Sequence, residues 1–184
     1  MLELTNINST FNLNNGVKIP CVGYGTFRTP ADVAEQAVKE AIETGYRHID
    51  TAAVYGNEEA VGKGIKDSGI KREDLFVTSK LWNTNRGYEQ TKKAFQETLD
   101  RLQMDYLDLY LIHWPANEKQ FGDDAAKINA ETWRAMEDLY NEGKIRAIGV
   151  SNFMPHHIAE LMKTAIVAPA VEQIEVHPGW PLTE

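Results

Sequence analysis

The stretch GYRHIDTAAVYGNE, residues 45–58, does not read as a surface helix. Arg47, His48 and Asp50 follow directly on a turn glycine, Gly45, and do not recur at helical spacing. RHID reads as a short buried strand, and TAAVYGNE as a loop leading into a helix. An ionisable Asp50 at a strand's end, with Tyr55 five residues on in a loop, is hard to explain by stability alone.

Working outward, strand-like and helix-like segments alternate. On the N-terminal side, TPADVAEQAVKEAIETG predicts a helix: Thr29 can cap it, Pro30 suits its first position and Gly45 ends it. Val33, Ala34, Ala37, Val38, Ala41 and Ile42 would line its apolar face. Before it come a short strand, CVGYG, and a small hairpin, TFNLNNGVKIP, whose NNG supplies turn residues. On the C-terminal side follow helix NEEAVGKGIKDSG, strand DLFVTSK and helix YEQTKKAFQETLDRLQ. Strand YLDLYLIH, helix NAETWRAMEDLYNEG, strand IRAIGVS, helix PHHIAELMKTA and strand AVEQIEV complete the series. Six alternations imply an α/β fold with parallel pairing and crossover helices. An open doubly wound sheet and a (β/α)8 barrel both fit. A barrel usually takes ~250 residues, and the chain of 184 residues stops just after the sixth strand.

Parallel folds of both kinds place their chemistry at the C-terminal ends of strands. Those ends carry Gly25, Thr26 and Phe27 first, then Asp50 with Tyr55 in its loop. Lys80 follows, with Leu81 and Trp82 after it, then His113 with Trp114. The fifth ends at Ser151 and Asn152, and the sixth carries Gln173, Glu175 and His177. Asp, Tyr, Lys and His thus share one rim. A free phenol titrates near ~10 and is a usable proton donor at neutral pH. A neighbouring ammonium would lower that value, and a carboxylate would keep the ammonium charged. An imidazole could orient a carbonyl oxygen. Together they could protonate an oxygen as negative charge develops on it. Carbonyl reduction needs this once a hydride arrives, and no side chain supplies the hydride, so a nicotinamide cofactor is implied.

The chain resembles the aldo-keto reductase family. GYRHIDTAAVYGNE and LDRLQMDYLDLYLIHWP are similar to two family signatures, and VTSKLW, GVSNF and VEQIEVHP to further segments. The resemblance implies a (β/α)8 TIM-type barrel with an N-terminal β-hairpin closing its bottom, incomplete here at about six βα units, as one domain over residues 1–184. It implies a tetrad of Asp50, Tyr55, Lys80 and His113, with Tyr55 as general acid. Ser151, Asn152 and Gln173 would hold a nicotinamide carboxamide, with Thr26 and Asp50 near the nicotinamide and its ribose. Phe27, Trp82, His113 and Trp114 would wall the carbonyl pocket. The implied cofactor is NADPH and the substrate a small aldehyde or ketone. The family's third signature, its nicotinamide-stacking aromatic and its C-terminal loop would lie beyond residue 184. A complete protein is expected to be monomeric, and a chain ending at 184 to self-associate through open strand edges.

Other observations narrow the classes. A formal net charge of −8 argues against a general nucleic-acid binder. One cysteine, Cys21, excludes an internal disulfide framework and fits a reducing compartment. The N-terminus has no signal-peptide pattern, and no apolar run reaches membrane-span length. A soluble, cytoplasmic protein is expected. The five histidines lack metal-ligand spacing, and His156 and His157 are expected to be solvated. GYGTFR lacks the third glycine of a dinucleotide fingerprint. A reading of a different class remains beside the reductase: a truncated product that keeps the tetrad without catalysing, or a non-enzymatic relative. The reading frame downstream of codon 184 separates the two.

Overall fold

The computed structural model describes residues 6–180. Strands β1 (Thr10–Asn12) and β2 (Lys18–Pro20) form the antiparallel hairpin. Six strands then form one parallel sheet in sequence order: β3 (Tyr24–Gly25), β4 (His48–Asp50), β5 (Phe76–Leu81), β6 (Leu107–Ile112), β7 (Ile145–Ser151) and β8 (Glu172–Gln173). Between them run helices α1 (Ala31–Thr44), α2 (Glu58–Asp67), α3 (Tyr88–Leu102), α4 (Glu118–Phe121), α5 (Asp124–Asn141) and α6 (Pro155–Leu161). Strictly sequential parallel order with a helix at every crossover is the wall of a (β/α)8 barrel.

The two faces of the wall follow from strand alternation. Ile49, Val77, Leu81, Tyr110, Ile112, Ile148 and Val150 pack outward against the helices. Phe76, Leu109, Leu111 and Ala147 face inward, where Leu13, Val17 and Ile19 of the hairpin segment pack against them. The hairpin therefore closes one end of the wall. Period two then puts Thr78 and Lys80 on the inward face with Phe76, and leaves Ser79 facing the helices.

Several local expectations differ in detail. Pro30 is itself the N-cap of α1, and Thr29 makes no cap bond there. Val33 stays exposed, while Ala34, Val38, Ala41 and Ile42 are buried. The ladders of CVGYG and AVEQIEV shrink to two residues each, because among the described residues each pairs on one side only. The short helix α4 lies in a segment where no helix was expected. At α6, His157 is not simply solvated: its Nδ1 accepts the Met154 N–H at 3.0 Å and caps the helix.

Helix α2 contains two glycines, which ordinarily weaken a helix. Here each meets a neighbour's backbone. A Cβ on Gly64 would stand 2.4 Å from the Glu35 carbonyl oxygen of α1, and one on Gly62 would stand 2.4 Å from that of Leu102 at the end of α3. Glycine thus lets α2 sit close to both helices. Elsewhere in a helix Gly→Ala gains up to ~1 kcal/mol. Gly64→Ala is expected to reverse that sign and cost about 1–3 kcal/mol in urea unfolding, as overpacking does. A stabilised variant would contradict the close packing.

Candidate active site

The opening stretch now accounts for each of its residues. Arg47 Nη1 donates to the carbonyls of Ile42 (3.0 Å) and Tyr46 (2.8 Å), closing the end of α1. His48 turns inward, its Nε2 2.9 Å from Thr78 Oγ1, and Ile49 turns outward into the core. Asp50, inward again, reaches Lys80. The Lys80 ammonium, 1% exposed, donates to Asp50 Oδ1 at 2.5 Å and to the Thr51 carbonyl at 3.0 Å. Gln173 Nε2 donates to the other oxygen, Oδ2, at 2.8 Å, across 123 residues of sequence. The first and last regions of the wall thus meet on one carboxylate.

Tyr55 ends a single 3-10 turn, Ala53–Tyr55, stopped by Gly56 in the left-handed region. Its ring lies 5.1 Å from Phe27, 5.8 Å from His113 and 5.3 Å from the Lys80 ammonium. His113 also meets Trp82 edge-on at 5.3 Å. The tetrad therefore converges, and Phe27 and Trp82 stand against its rings. Trp114 is half exposed at the same rim, without a ring contact to them among the described residues. Thr26 is fully buried; its Oγ1 donates to Thr51 Oγ1 at 2.9 Å, so its side chain supports the rim from below.

The electrostatics correct one expectation. Lys80 does not depress the Tyr55 phenol: burial, and then the Asp50 carboxylate, push it up to about 12. The physical reason is chiefly burial; Lys80 makes its hydrogen bonds to Asp50 and Thr51, and its ammonium lies 5.3 Å from the centre of the Tyr55 ring. Tyr55 is consequently a neutral phenol, an acid rather than a base. Burial and the Lys80 charge pull His113 down to about 4, against the opposing pull of Asp50, so its imidazole is neutral. Its Nδ1 is buried without a partner. A buried orphan N–H is rarer than a buried orphan acceptor, which favours the Nε2–H tautomer.

At the next two strand ends, Ser151 Oγ donates to the Gln173 carbonyl at 2.8 Å, and Asn152 Nδ2 to the His113 carbonyl at 2.9 Å. Asn152 takes φ +60°, the left-handed region that Asn tolerates best among non-glycines. Besides these bonds, the amide oxygens of Asn152 and Gln173 have no hydrogen-bond donor among the described residues. Two amide acceptors beside a serine hydroxyl fit a primary carboxamide.

Sequence reasoning missed the supports. Asn57, 1% exposed, donates to the carbonyls of Thr26 and Thr29 and accepts from Thr51, tying the Phe27 loop to the Tyr55 turn. Glu58, also 1% exposed, accepts Ser79 Oγ at 2.5 Å and Arg101 Nε at 2.7 Å, anchoring α2 to β5 and α3. Glu172 accepts the Phe153 N–H at 3.1 Å, and burial pushes its carboxyl up to about 7. Only Asn57 and Glu58 carried a signal, as the end of the quoted stretch. A separate groove of about 670 Å³ lies among α1, α2 and α3; it shares Trp82 with the rim but none of the tetrad.

Fold and rim together define a parallel α/β-barrel protein with a phenol, an ammonium, a carboxylate and an imidazole gathered at the strands' C-terminal ends. The chain belongs to the aldo/keto reductase family, whose sequence pattern it matches over residues 21–181. It is 54% identical to glyoxal reductase of Bacillus subtilis over 175 residues, which is 95% of this chain and 60% of that protein. The structure of an aldo/keto reductase from Brucella melitensis superposes with a TM-score of 0.90 at 48% identity, covering 96% of this chain and 65% of that one. A Bombyx mori aldo-keto reductase solved in complex with NADP gives a TM-score of 0.83 at 44% identity, covering 91% and 58%. The chain spans about 60% of the length of the curated relatives it matches. No helix among the described residues is long and apolar enough to cross a membrane.

Proposed function

We propose that the protein reduces small aldehydes and ketones to alcohols with NADPH, and that Tyr55 supplies the proton. The observation that carries this reading is the convergence of a neutral phenol, a neutral imidazole and a buried Lys80–Asp50 pair on one rim. Bound NADPH supplies the hydride that none of these side chains can. Ser151, Asn152 and Gln173 would hold its carboxamide, with Asp50 near its ribose and Thr26 beneath. His113 Nε2 would donate to the substrate's carbonyl oxygen and orient it toward the Tyr55 hydroxyl. Tyr55 would then transfer its proton as negative charge builds on that oxygen. Phe27, Trp82 and Trp114 would exclude water from the carbonyl. Dicarbonyls such as glyoxal are the first substrates to try, since a relative 54% identical is a glyoxal reductase. A single barrel domain acting in the cytoplasm belongs to the same reading.

The test uses the full-length protein: NADPH fluorescence titration, then NADPH consumption at 340 nm with glyoxal and with an aromatic aldehyde. Cofactor binding with turnover of either supports the reading, and binding without turnover of any carbonyl refutes it. The pH profile adds a signed expectation. Reduction needs Tyr55 protonated, which holds well below about 12, and His113 neutral, which holds above about 4. Reductive kcat/KM should therefore stay level between about pH 6 and pH 9. A fall centred near neutrality would show that another group sets the rate.

A further inference from the structure

Trp82 and Trp114 stand on different loops, after β5 and after β6, and one side chain joins them. Arg86, four residues beyond Trp82, reaches across the rim. Its Nη2 donates to the carbonyls of Trp114 and Pro115, each at 2.9 Å. Its guanidinium also lies 5.6 Å from the ring of Phe121 on α4. Helix α5 completes a closed ring of bonds. The backbone N–H of Gly87 donates to Thr132 Oγ1 at 2.8 Å. Asn129, three residues earlier on α5, holds Ala116 from both sides: its Oδ1 accepts the Ala116 N–H at 2.8 Å, and its Nδ2 donates to the Ala116 carbonyl at 3.0 Å.

The position is an expensive one for a cation. Arg86 Nε and Nη1 are buried without partners, and Arg86 has no carboxylate partner among the described residues. Burial pulls its pKa down from the usual range. A partly buried charge without a counter-ion costs free energy, so the two carbonyls are what hold it in place. Removing the guanidinium leaves the loop roots paired, with the His113 N–H on the Leu81 carbonyl and the Trp82 ring against His113, but unties the segments beyond them from each other.

We propose that Arg86 is a specificity-determining residue. By locking the Trp82 loop to the Trp114 loop it fixes the spacing of the two indoles, and so favours carbonyl substrates bulky enough to fill the space between them. This rests on the reading of the rim as a carbonyl pocket. Small dicarbonyls that need only Tyr55 and His113 are indifferent to the lock.

The experiment compares full-length wild type, Arg86→Met and Arg86→Lys on 4-nitrobenzaldehyde and glyoxal, with NADPH affinity and thermal melting measured alongside. Arg86→Met should lower kcat/KM for the aromatic aldehyde about tenfold, the worth of one charge-assisted hydrogen bond, mainly through KM. Activity on glyoxal and NADPH affinity should stay within about twofold, since neither depends on that bond. Arg86→Lys, which keeps one donor, should fall between. An equal fall on both substrates, as general destabilisation would give, overturns the proposal; so does an unchanged ratio. If Arg86→Met does not fold, the Arg86→Lys ratio decides alone. A wild type inactive on both substrates would instead overturn the reductase reading, which the control reports separately.

Discussion

Tyr55→Phe is expected to abolish carbonyl reduction while leaving the fold and NADPH affinity intact. The substitution removes one hydroxyl from a ring whose packing against Phe27 and His113 does not depend on it. A positioned general acid is worth ~10²–10⁴ in rate, and no second neutral donor stands ready. Lys80 is committed to Asp50 and Thr51, and in the proposed mechanism His113 orients the carbonyl rather than protonating it. The loss should therefore appear in kcat with KM little changed. Wild-type turnover in the purified variant would remove Tyr55 from the mechanism.

Lys80→Met should damage both activity and stability, and the two losses have separate signatures. Deleting one partner of a buried ion pair typically costs ~3–5 kcal/mol, because the other charge is left uncompensated. Here that charge is Asp50, whose side chain is only 16% exposed. The bare carboxylate would also act on the rim. Lys80 holds the His113 pKa down while Asp50 pulls it up, so without Lys80 the acid limb of any residual activity should move to higher pH than about 4. The double variant Asp50→Asn/Lys80→Met should recover stability but not activity. A Lys80→Met variant as stable as wild type, with an unmoved acid limb, would break the proposed coupling.

The parts of this site that strand periodicity encodes were legible in the sequence. Asp50, Lys80 and His113 fall at strand ends, and alternation puts Lys80 on the inward face with Phe76 and Thr78. The rim follows from those two facts once the strands are parallel. Motifs then singled out Tyr55, whose placement rests on a short 3-10 turn that periodicity does not encode. What was not legible is held together by long-range contacts. Asn57 works through carbonyls 28 and 31 residues away, and Arg86 through carbonyls 28 and 29 residues away. A backbone acceptor leaves no mark of its own in sequence. The sign of the Tyr55 shift failed for a related reason. The sequence suggested the Asp50–Lys80 pair, but a list of residue types does not show how deeply the phenol is buried, and burial is the larger cause of its shift. At the capping position, Thr29 and Pro30 both suited the start of α1, and only the backbone angles decide that Pro30 occupies it.

The central claim is that this rim takes a hydride from NADPH and a proton from Tyr55. The most direct measurement supplies full-length protein with aldehyde and NADPH deuterated on the transferred face of C4, and analyses the alcohol by mass spectrometry. The account predicts one deuterium on the carbinol carbon for each NADPH consumed, and no labelled alcohol from Tyr55→Phe over the same interval. Alcohol formed without deuterium, or labelled alcohol appearing at the wild-type rate from Tyr55→Phe, would contradict it.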